Sequence, residues 1–141
     1  MFDVVVVGAD FSPTARRAVV AATELVLMSK GSLHIVTAYD AKTKSVKQLP
    51  SEFANKGEGG GTEAALQDLS FVAKKLGVDP VLHMVEGEPA KVIVDVADEV
   101  NADTIVVGNR GMKGVRRVLG SVPNSVAHEA NCSVIIIDTT E

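Results

Sequence analysis

The sequence predicts an α/β fold: a single doubly wound, five-stranded parallel sheet with helices on both faces. Three observations predict it. Short β-rich runs alternate with helical stretches, at residues 4–7, 33–38, 79–86, 104–107 and 133–137. The runs are apolar without alternation, which is the pattern of strands covered on both faces. Strand, helix and strand in regular order, with right-handed crossovers, make a parallel sheet with helices to either side. The 141 residues read as one domain, 1–141, with a core large enough to fold alone.

The elements follow in order. The first strand, residues 4–7, ends at Gly8, and Ala9 and Asp10 lead away from it. Ser12 can cap the first helix, with Pro13 at its first helical position. Ala15, Ala18, Val19, Ala22, Leu25 and Val26 then recur at helical spacing. Gly31 is the expected helix stop, and residues 33–38 the second strand. Residues 40–61, with the run Gly57-Glu58-Gly59-Gly60-Gly61, read as a flexible loop longer than a typical connection. Thr62 is the expected cap of a second helix, which carries Ala65, Leu66, Leu69, Ala73 and Leu76 and stops at Gly77. Residues 79–86 form a third strand. Gly87-Glu88-Pro89 opens a third helix with Ala90, Ile93, Val94, Ala97 and Val100 on one face. A fourth strand, 104–107, a fourth helix from Gly120 or Ser121 to about Ala130, and a fifth strand, 133–137, complete the chain.

Bulk composition excludes several classes. Hydrophobic residues make up 46% and charged residues 23%, as in an ordered globular chain and unlike a disordered one. The net charge of -4 gives no reason to expect nucleic acid or an anionic membrane as partner. No apolar run reaches the length of a membrane span. The first residues enter a strand pattern with no basic region before it, so no signal peptide is expected and a cytoplasmic location is the default. Cys132 is the single cysteine, so no internal disulfide forms, and its place before an apolar run reads as a buried, inert thiol.

The stretch from Gly108 to Val122 carries the functional signal. Gly108, Gly111, Gly114 and Gly120 are interleaved with Arg110, Lys113, Arg116 and Arg117. Glycines let backbone approach an anion, and the free amides of a helix start point at one. Ser121 can cap the fourth helix and donate its hydroxyl to a phosphate. The competing reading is a glycine-rich surface loop with solvated basic side chains. The spacing is neither a Walker A loop nor a dinucleotide fingerprint. Asp10, at the end of the first strand, can accept from a ribose hydroxyl or simply support the helix entry. A receiver domain would need a second acidic site at the end of the third strand, where only Glu86 is near, and a lysine after the fifth strand, which is absent. His34, His83 and His128 lie far apart without metal-ligand spacing and read as surface histidines. No catalytic residue set and no metal site is expected.

Taken together, G-A-D-F-S after the first strand, G-E-P after the third, V-V-G-N-R-G and L-G-S-V-P-N-S-V resemble the universal stress protein family over essentially the whole chain. The resemblance implies an adenine nucleotide alpha hydrolase-like, Rossmann-like fold. Nucleotide-binding members carry Gly, two residues, Gly, nine residues, Gly, then Ser or Thr. Here Gly108 and Gly111 keep the first gap, but eight residues separate Gly111 from Gly120 before Ser121. The resemblance implies ATP, with or without Mg2+, as ligand. Cyclic AMP is the alternative, since a shortened loop suits one phosphate. It places Asp10 on the ribose, the backbone of Ala38 at the adenine and Gly108 near the ribose. Gly111, Gly120, Ser121 and Val122 fall at the phosphates, with Ala9 and Val107 lining the pocket. Arg110 and Lys113 are added as charge partners. A sensor or regulator of a stress response is implied, not an enzyme. Acidic residues are absent between Gly108 and Val122, where an ATPase would hold its metal. The family also implies a homodimer, for which the final strand offers a reason: its apolar edge, Val134 to Ile137, needs covering. An unidentified protein partner, or a nucleotide-free interaction module, is the alternative role.

Overall fold

A computed structural model describes residues 1–10, 14–39, 60–109 and 121–139. Five strands, β1 (Val4–Gly8), β2 (Ser32–Tyr39), β3 (Val81–Glu86), β4 (Thr104–Gly108) and β5 (Ser133–Ile137), form one parallel sheet in the order β3-β2-β1-β4-β5. The central register runs Val7↔Ile35 on one side of β1 and Val7↔Val106 on the other. Four helices cover it: α1 (Ala15–Ser29), α2 (Gly60–Leu76), α3 (Pro89–Glu99) and α4 (Val122–Glu129). The expected doubly wound fold is the one observed.

Two cores result, one per face. Val5, Val7, Leu33, Ile35 and Val106 meet the buried side of α1 and α2 at Ala18, Val19, Ala22, Leu66, Leu69 and Ala73. Val6, Val36, Ile105 and Val107 meet Ile93, Val96 and Ala97 of α3 and Val126 of α4. Successive strand residues alternate faces, so β1 and β4 must be apolar on both faces, and they are except at Thr104, whose hydroxyl is bonded to Asp103. Burial on both faces fails at the edges, where β3 and β5 are partly exposed along their length. At the amino ends of the strands, Asp103 ties β4 to β1. Its Oδ2 accepts from the Asp3 amide at 2.8 Å, and its Oδ1 from the Thr104 hydroxyl at 2.9 Å.

Three boundaries differ from the sequence reading. The first helix is stopped by Lys30, whose φ is 62°, and not by Gly31. Gly31 is needed for a different reason: a Cβ there would lie 2.5 Å from the carbonyl oxygens of Phe2 and Asp3. The second helix begins at Gly60 and not at Thr62, so Gly60 and Gly61 belong to α2 and not to the expected 40–61 loop. Glycine's weak helix propensity is outweighed there by a helix whose buried side is anchored further on, at Leu66 and Leu69. Residues 40–59 of that expected loop, and Ser12 and Pro13, lie outside the described residues. The third strand starts at Val81, two residues later than expected, because Pro80 lacks an amide for the ladder. Gly77 does stop α2, with a φ of 106°.

Candidate functional site

In sheets of this kind ligands sit beyond the carboxyl ends of the strands, where the strand order reverses. Here that place lies between β1 and β4, because β2 and β3 run off one side of β1 while β4 and β5 run off the other. The structure brings Ala9 and Asp10, leaving β1, to the same end of the sheet as Gly108 and Asn109, leaving β4. The Ala9 amide donates to the Val36 carbonyl at 2.9 Å, which extends the ladder one residue past β1. Ala9 is thereby buried and Asp10 stands exposed beyond it.

Ala38, Val107 and Val122 belong to the core on the α3/α4 face, while Ala9 belongs to the core on the α1/α2 face. The expected lining residues therefore come from both faces of the sheet. That is what a crevice cut across its end requires. Arg110, Gly111, Gly120, and the basic residues Lys113, Arg116 and Arg117 lie outside the described residues.

Ser121 caps α4, as expected. Its side-chain oxygen accepts from the Asn124 amide at 3.3 Å, and its carbonyl accepts from the Ser125 amide at 3.0 Å. Capping uses a lone pair of the hydroxyl and leaves its hydrogen able to donate. The helix start holds fewer free amides than a generic one. Pro123 has none, and Asn124's is taken by Ser121. The Val122 amide, at the first helical position, has no acceptor within the helix.

Two residues that the sequence reading did not place at the site stand at its root. A Cβ on Gly108 would lie 2.6 Å from Thr139 Cγ2 and 2.8 Å from its Oγ1. Thr139 is only 2% exposed, so the position must be glycine for the chain after β5 to pass over it. The Asn109 amide donates to the Ile137 carbonyl at 2.9 Å, and the Thr139 amide donates to Asn109 Oδ1 at 2.9 Å. The available signal was an asparagine directly after a strand, a residue suited to accepting a backbone hydrogen bond in a loop.

The histidines are not all separate. His34 Nδ1 and His83 Nε2 lie 2.9 Å apart, on neighbouring strands β2 and β3 and away from the β1/β4 opening. Their ring centres are 5.2 Å apart, as two rings joined end to end by a linear hydrogen bond require, so they do not stack face to face. Burial lowers the pKa of both; His83 lowers His34 further, and Glu99 partly raises His83. His128 lies in the last turn of α4. Among the described residues no group of three or more His, Cys, Asp or Glu could hold a metal ion. Cys132 is half-buried instead of buried, and burial pushes its thiol pKa up, away from the reactive thiolate. Among the described residues no helix is long and apolar enough to cross a membrane.

The fold defines a Rossmann-like α/β domain whose strand order reverses between β1 and β4. The model of the Universal stress protein family matches residues 1–138, and the chain belongs to that family. It is 33% identical to Universal stress protein Rv1636 of Mycobacterium tuberculosis over 150 residues, covering 99% of this chain and 98% of that protein. A shorter match, 38% over 76 residues, links it to Universal stress protein MJ0531 of Methanocaldococcus jannaschii and covers 53% of this chain and 45% of that one. A universal stress protein solved in complex with cAMP superposes with a TM-score of 0.79 at 34% identity, covering 98% of both chains. The universal stress protein from Archaeoglobus fulgidus, solved in complex with dAMP, gives 0.69 at 26% identity and 96% of both chains.

Proposed function

We propose that this domain binds an adenine nucleotide across the end of β1 and β4 and serves as a cytoplasmic, non-enzymatic sensor or regulator in a stress response. The observation that carries the reading is the convergence of three elements at the switch point. Asp10 leaves β1, Gly108 and Asn109 leave β4, and the Ser121 hydroxyl caps α4. Asp10 accepts from the ribose and the Ala38 backbone meets the adenine. Gly111, Gly120, Ser121 and Val122 hold the phosphates, with Arg110 and Lys113 as counter-charges. The relatives solved with cAMP and dAMP support an adenine nucleotide as the ligand class. ATP, with or without Mg2+, is the first candidate ligand. The absence of any acidic residue between Gly108 and Val122 supports binding without turnover, since phosphoryl transfer normally needs a metal-holding acid.

Cyclic AMP is the second reading, and two observations favour it: the eight-residue gap between Gly111 and Gly120, and the cAMP-bound relative at 34% identity. One phosphate asks for fewer loop amides than three, and Pro123 has already removed one. Isothermal titration of the purified protein with ATP, AMP and cyclic AMP tests both readings. Tighter binding of ATP supports the first, and tighter binding of cyclic AMP the second. No heat change from any of them at millimolar concentration discards nucleotide binding. The chain would then be a nucleotide-free interaction module for a protein partner.

A further inference from the structure

We propose that Asn109 is a positioning residue of the nucleotide site, acting through the segment that follows β5. The proposal rests on the nucleotide reading above. Asn109 directly follows β4 and immediately precedes the glycine-rich sequence of residues 110–120. Two bonds of opposite sense hold it. Its own amide donates to the Ile137 carbonyl, and its carboxamide Oδ1 accepts from the Thr139 amide, both at 2.9 Å. The Thr139 hydroxyl stands 3.5 Å from the same oxygen. Thr139 in turn fills the space over Gly108 that a Cβ would need. Gly108 and Asn109 are therefore clamped from the side by residues 137–139, with no contact to a ligand required.

The chemistry of the clamp selects the residue. The amide of a 2% exposed threonine needs an acceptor, because a buried donor left unpaired is costly. A carboxamide and a carboxylate both supply that oxygen at the same reach. Aspartate would add a negative charge at the root of a loop meant for phosphates, and asparagine does not. The side chain thus satisfies the fold and spares the ligand.

Titration with two probes, adenosine and ATP, separates these roles. N109A removes the acceptor and weakens both probes about tenfold, the cost of loosening the support of a binding group. N109D keeps the acceptor: adenosine affinity returns towards the wild-type value, while ATP stays weakened by charge repulsion. T139P deletes the donated amide and leaves Asn109 in place. It reproduces the N109A loss, and the double variant is no worse than either single one. Circular dichroism confirms that each variant is folded. If N109A and T139P lower the melting temperature but bind both probes like the wild type, Asn109 is only structural and the proposal is overturned. If the wild type itself binds neither probe, the nucleotide reading fails first, and the proposal fails with it.

Discussion

His34 and His83 share one hydrogen bond, and a bond between two imidazoles survives one added proton but not two. With both rings doubly protonated, the facing nitrogens would each carry a hydrogen and the 2.9 Å contact would be lost. An imidazole in an unfolded chain takes up its proton near pH ~6.5. In the fold, burial holds both rings below that, aided at His34 by His83 and opposed at His83 by Glu99 of α3. The unfolded chain therefore binds protons first as the pH falls. The pair's contribution is fully present above about pH 6.5 and is lost as the pH drops through the lower folded values. Because the rings are only half-buried, the expected loss is modest, about 1 kcal/mol or one hydrogen bond's worth. Urea unfolding at pH 8 and pH 5 measures it. The wild type should lose more stability on acidification than the H34Q/H83Q double variant, and parallel losses would refute the account. Nothing in the sequence announces this pair, since the residues are 49 apart. Only the pairing of β2 with β3 joins them.

At the scale of elements, α4 is the part whose existence the sequence states most fully. It is eight residues long, too short to be stable alone, so its start depends on Ser121 and its burial on Val126 and Pro123. S121A should cost about 1 kcal/mol of stability and S121G less than half as much, because glycine is itself an acceptable cap. Thermal and urea denaturation of both variants provide the check, and equal losses would mean that the cap bond is not what holds the helix start. The helix starts that the sequence misplaced are instructive by contrast. Ser121 and Pro89 sit beside buried residues that force the boundary, whereas Thr62 competes with glycines that tolerate either conformation. Lys30 takes a left-handed turn that residue type alone would have assigned to Gly31. There the glycine was demanded by the backbone of residues 2 and 3, a long-range contact invisible to local pattern. The same limit hid Thr139, which reaches the site only because β5 pairs with β4.

For the whole molecule, the continuous apolar runs of β1, β2 and β4 made the parallel sheet legible, and the alternation of strands and helices made its double winding so. All five runs read as covered on both faces, and the last also as an edge that needs covering; β3 and β5 are the edges, each with a neighbouring strand on one side only. That leaves β5 with Ile136 39% exposed and, among the described residues, one backbone edge unpaired. An exposed apolar edge is a template for another strand. A two-fold axis beside β5 would pair it antiparallel with its own copy and remove both edges in one contact. We therefore expect the protein to sediment as a dimer, at twice its 14.7 kDa chain mass. I136K would place like charges close to the axis, where they repel each other and stay hydrated. Analytical ultracentrifugation of the variant should then show a folded monomer with an unchanged circular dichroism spectrum. A wild type that sediments at the chain mass across the micromolar range would overturn the expected dimer. An I136K protein that stays dimeric would move the contact away from β5. The β3 edge, where Val81 is 48% exposed, would be the next strand to test.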